Sequence, residues 1–381
     1  MADTQSSLRY QMVDLKGQYS RLRHYFDPAI QEVLDEGSFI NGPQVAGFCS
    51  ALGRWLNSDF VIPCANGTDA LQLAYMALGL RPGDEVVVPA FNYVAAAEAA
   101  VLLGLVPVFA DSDEQTFNLD PASARKAIGP RTKALVAVHL FGQGCDMDAL
   151  ESLCREKGIF LIEDNAQAIG SEITSGRFAG KKLGTIGLIG TTSFFPSKNL
   201  GCMGDGGALF CQEETLAKKI RMLANHGQEK RYQYDSVGIN SRLDSIQAAV
   251  LAAKLPFLQE FNETRLAAAA VYDSRLAGIE GLHTPQRAPW STHVFHQYTL
   301  RFDSPAQRDR IRTVLTENGV QSMIYYPKPL HLHPAYRSEH FPASSFPVAE
   351  KLANQVLSLP IHSEMTEAIA LEISEVIRSN F

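Results

Sequence analysis

Residues 60–110 read FVIPCANGTDALQLAYMALGLRPGDEVVVPAFNYVAAAEAAVLLGLVPVFA, and their pattern decides the fold. Three short runs, 60–64, 85–89 and 106–110, are rich in β-branched residues and bounded by Gly, Pro or Asp, as strands are. Between them, 69–78 and 95–103 carry apolar residues at helical spacing. Gly83-Asp84 and Gly104-Leu105-Val106-Pro107 punctuate the turns. The alternation continues with strands over 134–139 and 159–163 and helices over 122–128 and 147–157. Parallel neighbours need a crossover, usually a helix, so this order predicts an α/β domain with a mostly parallel sheet.

Past Gly184 the pattern changes. Apolar segments over 186–195 and 207–210 flank a Gly-rich link, and helices are expected over 213–225 and 244–261. The second helix ends near Pro256 or kinks there. Segments 298–302, 306–318, 320–326 and 366–379 then suggest a smaller α+β unit. The expected division is a large domain over 1–255 and a small C-terminal domain over 256–381.

Composition narrows the function. The 381 residues are 46% hydrophobic and 20% charged, enough to bury a sizeable core. With 34 Lys plus Arg against 41 Asp plus Glu the net charge is −7, opposite to the basic surplus of a nucleic-acid or anionic-membrane binder. The first residues, MADTQSSLRYQMVD, lack the apolar core of a signal peptide, and the apolar stretch 93–110 is interrupted by Glu98 and Pro107. Six dispersed cysteines form no C-x-x-C pair and read as reduced thiols. A cytoplasmic protein is expected.

Three segments can carry chemistry. Ala65-Asn66-Gly67-Thr68-Asp69 follows a strand and opens a helix, where free N–H groups and a hydroxyl suit a phosphate. Alone, it reads more simply as an ordinary N-cap. Glu163-Asp164-Asn165-Ala166-Gln167 ends a buried strand, the place where open α/β sheets bind ligands. Two buried carboxylates need partners, and a protonated ring nitrogen would be one. Solvent-facing acids capping the strand are the alternative. Third, Lys198 lies in TSFFPSKNLG (192–201), an apolar and hydroxylated segment. A surface lysine is the default reading there, but Phe194, Phe195 and the glycines that follow argue against full exposure. Desolvation lowers a lysine pKa and frees the amine to attack an aldehyde.

Phosphate at Thr68 and Ser193, an aldehyde at Lys198 and a ring nitrogen at Asp164 together describe pyridoxal 5'-phosphate. Tyr93 and Phe91 lie beyond the strand ending at Pro89; Tyr93 suits ring stacking, and Phe91 suits core packing. His331 and His333 lack an evident third ligand, so no metal is expected.

The ordered set NGTDAL, PAFNYVA, EDNAQAIG, TSFFPSKNLGCMGDGGA and GINSRLDSIQAA resembles the DegT/DnrJ/EryC1/StrS sugar-nucleotide aminotransferases over almost the whole chain. That resemblance implies the fold type I aminotransferase architecture, a homodimer with shared active sites, and pyridoxal phosphate. It makes Lys198 the Schiff-base lysine, Asp164 the partner of the pyridine nitrogen and Gln167 a contact of the ring's phenolic oxygen. It assigns the phosphate to Gly67, Thr68, Ser193 and the partner subunit's Asn240, and ring stacking to Tyr93. Related sugar dehydratases carry His at the position of Lys198, which disfavours dehydration.

Within that family the strings 63–72, 193–208 and 226–244 are similar to those of UDP-2-acetamido-2-deoxy-hexuluronate 3-aminotransferases of surface-polysaccharide pathways. A UDP-linked 3-keto uronic acid with L-glutamate as donor is therefore expected, and a dTDP-3-keto-6-deoxyhexose is the alternative. A non-catalytic cofactor-binding regulator is the alternative from another class. Bidentate Arg suits a uronate carboxylate, which selects Arg242, with Lys230 and Arg231 behind it. Arg242 equally suits the glutamate carboxylate. Tyr325, where uronate-type relatives can carry His, and His331 complete the expected substrate side.

Overall fold

Seven strands build the central sheet of the computed structural model, which describes residues 8–381: β1 (Phe60–Cys64), β2 (Glu85–Pro89), β3 (Val106–Ala110), β4 (Thr132–Val138), β5 (Phe160–Asp164), β6 (Ile189–Ser193) and β7 (Gly207–Cys211). Residues 1–7, half of the polar stretch in which a signal peptide was sought, lie outside the described residues. The strand order is β1-β7-β6-β5-β4-β2-β3, and only β7 runs against its neighbours. The sheet is thus mixed and mostly parallel, as the alternating pattern predicts.

Among the described residues twelve α-helices accompany it: α1 (Leu15–Glu36), α2 (Pro43–Leu56), α3 (Gly67–Ala77), α4 (Ala95–Leu102), α5 (Pro121–Ala127), α6 (Met147–Lys157), α7 (Glu214–Ala224), α8 (Ser245–Lys254), α9 (Leu258–Leu276), α10 (Pro305–Glu317), α11 (Pro347–Gln355) and α12 (Glu367–Arg378). Val86, Val88, Val136 and Ile162 pack with α3, α4 and α7, while Val87, Leu135, Ala137 and Leu161 pack with α5 and α6. Helices cover both faces, so each strand reads as a continuous apolar run rather than an alternating one.

A two-stranded hairpin, β8 (Gln228–Lys230) with β9 (Gln233–Tyr234), projects beyond α7. A second sheet orders β10 (Leu282–His283), β11 (Tyr298–Phe302) and β12 (Val356–Leu359) antiparallel. Tyr298, Leu300 and Phe302 alternate inward from β11 onto a separate core with Tyr272, Ile311, Ile373 and Ile377. The N-terminal half of α9 (Leu258) packs with the large sheet's helices, and its C-terminal half (Tyr272, Leu276) joins this second core.

Two expectations change, and a third, the break near Pro256, is met. Segment 186–195 is a strand only over Ile189–Ser193, because the N–H groups of Ile186 and Gly187 are taken by Glu163 instead of a ladder. Segment 320–326 forms no strand; it makes isolated bridges, Tyr10 with Val320 and Met323 with Ser358. The helix over 244–261 divides at a 3₁₀ turn, Leu255–Phe257, where Pro256 lacks the N–H that a continuous helix needs.

Candidate active site

β1 and β6 both run antiparallel to β7, and β6 is parallel to β5, so their carboxyl ends share one edge of the sheet. The strand ends at that edge, and the segments that follow them, carry every residue of the expected cofactor site except Asn240. Asp164 ends β5, level with Val138 and Thr191.

Successive strand residues face opposite sides, so Glu163 and Asp164 enter different surroundings. Glu163 is fully buried and accepts from His139 Nε2 at 2.9 Å, Gly184 N at 2.8 Å, and Ile186 N and Gly187 N at 2.6 Å each. The Cys145 N–H donates to His139 Nδ1 at 3.2 Å, which leaves the ring proton on Nε2. Burial opposes ionisation of Glu163, but His139 and the backbone donors outweigh it and hold the carboxyl below its usual range.

Asp164 is supplied sparingly. Its Oδ1 accepts one N–H, from Ala166 at 3.0 Å, and among the described residues Oδ2 has no hydrogen-bond partner. Burial therefore raises its pKa; the Ala166 bond and the charge of Lys198 pull the other way without cancelling it. Lys198 lies in the turn after β6, fixed by its N–H to Phe195 O at 2.8 Å. Burial lowers its ammonium to about 8, with Asp164 opposing the shift. Of the two phenylalanines expected to shield it, Phe194 is fully buried, whereas Phe195 is 51% exposed.

The phosphate expectation falls on one corner. Asn66, not Thr68 or Asp69, caps α3, its Oδ1 accepting from Asp69 N at 2.8 Å. Gly67 and Thr68 then open the helix with N–H groups that no carbonyl of the helix can satisfy. A Cβ on Gly67 would stand 2.8 Å from Ser193 Cβ, so glycine permits α3 to meet the end of β6. Gly207 pairs with both Cys64 and Ser193, and a Cβ there would stand 2.5 Å from the Asn66 carbonyl.

Gln167 is gripped at both ends. Its Oε1 accepts from Phe141 N at 2.8 Å and its Nε2 donates to the Tyr326 hydroxyl at 3.1 Å. Tyr326 stands 6.2 Å from Tyr93, which is exposed, and 6.0 Å from Phe91, which is fully buried. Tyr325 is half-buried beside it, with its hydroxyl pKa raised by burial.

A desolvated amine, a buried carboxylate with a free oxygen, a braced amide and unpaired helix N–H groups fit pyridoxal phosphate. Three residues here escaped the sequence reading. Tyr326 stands beside Tyr325, the tyrosine that the sequence singles out. Phe141 turns its N–H onto Gln167 through a left-handed backbone (φ 59°), which only the adjacent Gly142 hinted at. His296 is buried where the charges of Lys198 and Arg265 add to burial in keeping its ring neutral, and no local pattern marks it.

The remaining expected residues lie elsewhere within one chain. Asn240 is exposed, at an isolated bridge with Asn225. Arg242 lines a cavity of about 500 Å³ with Val45, Ile62, Arg221 and Ser241, and neither Lys198 nor Asp164 borders it. Lys230 and Arg231 are exposed on the hairpin, Arg231 over the Tyr232 ring at 4.9 Å. His331 has no exposed surface to offer a substrate: it meets Glu350 Oε1 at 3.1 Å and packs on Phe346 and Phe109. His333 contacts the Lys328 carbonyl at 3.2 Å.

Comparison with known proteins gives one family. The sequence pattern of the DegT/DnrJ/EryC1/StrS aminotransferase family matches residues 21–378. A UDP-2-acetamido-2-deoxy-3-oxo-D-glucuronate aminotransferase of Pseudomonas aeruginosa is 43% identical, covering 94% of this chain and 96% of its own. A dTDP-3-amino-3,4,6-trideoxy-alpha-D-glucose transaminase of Streptomyces venezuelae is 41% identical, covering 99% and 98%. The solved structure of S. venezuelae DesV superposes with a TM-score of 0.93 at 42% identity, covering 98% of each chain.

Proposed function

Because the chain belongs to the DegT/DnrJ/EryC1/StrS aminotransferase family, we propose that it moves an amino group from L-glutamate to C3 of a nucleotide-linked keto-sugar, UDP-2-acetamido-2-deoxy-3-keto-glucuronic acid, for surface polysaccharide. It is a pyridoxal phosphate-dependent aminotransferase. The observation that carries the site reading is the desolvated Lys198 amine set against Asp164 beyond the strand ends.

When bound, the cofactor supplies an aldehyde that condenses with amines and a ring that accepts electrons. Lys198 Nζ would hold the cofactor at its aldehyde carbon, and the amine, once freed, would be placed to carry the donor's α-proton across to that carbon. An amine with its pKa near 8 is deprotonated in a useful fraction at neutral pH, which an ordinary lysine is not. Asp164 Oδ2 would keep the ring nitrogen protonated. Gln167 Nε2, held in register by Phe141 and Tyr326, would orient the ring's hydroxyl side. The opening N–H groups of α3, with the Thr68 and Ser193 hydroxyls, would hold the phosphate. Tyr93 and Tyr326 would exclude water from the ring face.

The proposal includes a homodimer with shared sites. Support comes from Asn240, exposed at its bridge with Asn225, and from Arg242, whose cavity neither Lys198 nor Asp164 borders. It includes the division of the chain at residues 255/256, supported by the second core, and a cytoplasmic location, supported by six unpaired thiols. Lys198→Ala mixed with Asn240→Ala should recover activity that neither has alone; no recovery refutes the sharing. For substrate, the aminated enzyme would be mixed with the UDP-linked 3-keto uronate or a dTDP-linked 3-keto-6-deoxyhexose. Recovery of the lysine-bound cofactor absorbance with the first supports the reading. Recovery only with the second favours the alternative, which the Streptomyces relative keeps open.

A further inference from the structure

Lys198 is followed by a polar residue that the chemistry above leaves unused. Asn199 is buried, and its Nδ2 donates both to Asn262 Oδ1 at 2.8 Å and to the Val294 carbonyl at 3.1 Å. Asn262, also buried, sits on α9 and donates its own Nδ2 to the Ile169 carbonyl at 3.2 Å. Ile169 lies two residues beyond Gln167, and Val294 two before His296. Two amides therefore tie together the turn of Lys198, the loop of Asp164 and Gln167, and the segment of His296.

The junction is tightly enclosed. Gly170 has φ +96°, and a Cβ there would stand 2.4 Å from Asn262 Nδ2, so the packing excludes any larger residue. One turn along α9, Arg265 reaches the same segment, donating to the Phe295 carbonyl at 3.3 Å and the Ile361 carbonyl at 2.8 Å. From α8, Lys254 Nζ holds the far end of the lysine turn at the Gly201 carbonyl, 2.7 Å away. Apolar side chains here would leave the Val294 and Ile169 carbonyls without a donor, so the junction holds three segments through these two amides. The Asn199 Oδ1 is buried with no partner among the described residues.

We propose that Asn199 and Asn262 are positioning residues that aim the Lys198 amine at the cofactor site, by fixing its turn against the Asp164–Gln167 loop. The kinetic part of this inference rests on the aminotransferase reading; the structural part does not. Small displacements of a reacting group cost catalysis far more than binding, so the effect belongs in kcat.

The test uses full-length Asn199→Ala, Asn262→Ala and the double variant. Hydrogen exchange of the cofactor-free proteins should show the 194–202 turn exchanging at least about ten-fold faster in each single variant, with β4 protected as in wild type. In the loaded enzymes kcat should fall about ten-fold while the donor KM stays within about two-fold. The double variant should be no worse than the poorer single one, because either change breaks the same junction. Wild-type exchange in the turn with wild-type kcat overturns the proposal, as does an additive double variant. If Asn262→Ala does not fold, Asn199→Ala alone decides, since it leaves the contact of α9 with Ile169 in place. If wild type itself fails to transaminate, the function assigned above falls, and the exchange measurement still decides the junction.

Discussion

Replacing Lys198 by Met keeps the length of the side chain and removes its charge, so it isolates what the desolvated ammonium costs the fold. Burial lowers this amine from 10.5 to about 8 even with Asp164 opposing. At about 1.4 kcal/mol per pKa unit, the cofactor-free protein carries a penalty of about 3 kcal/mol at pH 7. Part of the side chain reaches solvent, so that figure is a ceiling. The sign is fixed by linkage: the folded pKa lies below the unfolded one, so the unfolded chain binds more protons between about 8 and 10.5. The penalty is complete below about pH 8 and fades as pH rises towards the unfolded value. Denaturant unfolding of cofactor-free wild type and Lys198→Met should thus find the variant more stable by up to about 3 kcal/mol at pH 7 and by about 1 kcal/mol at pH 10. A variant no more stable at pH 7, or a gap that does not shrink with pH, would refute the desolvated ammonium and with it the activated nucleophile.

Asp164→Asn removes the charge that now raises the Lys198 pKa, so the pH at which cofactor-free protein captures pyridoxal phosphate should move downward, and turnover should fall by about 100-fold or more; stopped-flow absorbance and steady-state rates read both. Gly67→Ala places a methyl 2.8 Å from Ser193 Cβ and pries α3 from β6, so cofactor affinity by equilibrium dialysis should weaken by about ten-fold with the fold intact. Glu163→Ala strands His139 and three backbone N–H groups in the core, and should cost roughly 3–5 kcal/mol in denaturant titration. Because the Glu163 pKa is depressed in the fold, wild type should lose this contribution only as pH drops through the carboxylate range.

Legibility in the sequence followed the source of each signal. The strands of the large sheet are local runs with local stops, and apart from the start of β6 their ends are readable within a residue or two. α1 was not, although Asp14 caps it and Gly37 ends it in a left-handed turn, because Pro28 interrupts its narrow stripe of Leu22, Phe26 and Val33. α2 shows Pro43 at its start and Asn57 at its end, signals that matter only once a core exists for Phe48 and Leu52 to enter. Lys198, Asp164 and Gln167 stand out as candidates because each sits in a motif. Tyr326, Phe141 and His296 reach the site from three distant segments, and such convergence leaves no trace in residue spacing.

The adjacent carboxylates show where the sequence could pose a problem without solving it. Each of Glu163 and Asp164, read alone, is a buried charge in search of a partner. The pleat assigns one to each side, and the two sides are provisioned unequally. Glu163 meets an imidazole N–H and three backbone donors, becomes a fixed charge with nothing left to offer, and spends its bonds on closing the 184–187 loop. Asp164 receives one N–H and stays raised, so its free oxygen is the stronger acceptor for a protonated ring. Exchanging the two residues would keep the composition and the strand but turn the hungry carboxylate into the core. The motif is therefore an order as much as a set, and the order is read only by the sheet.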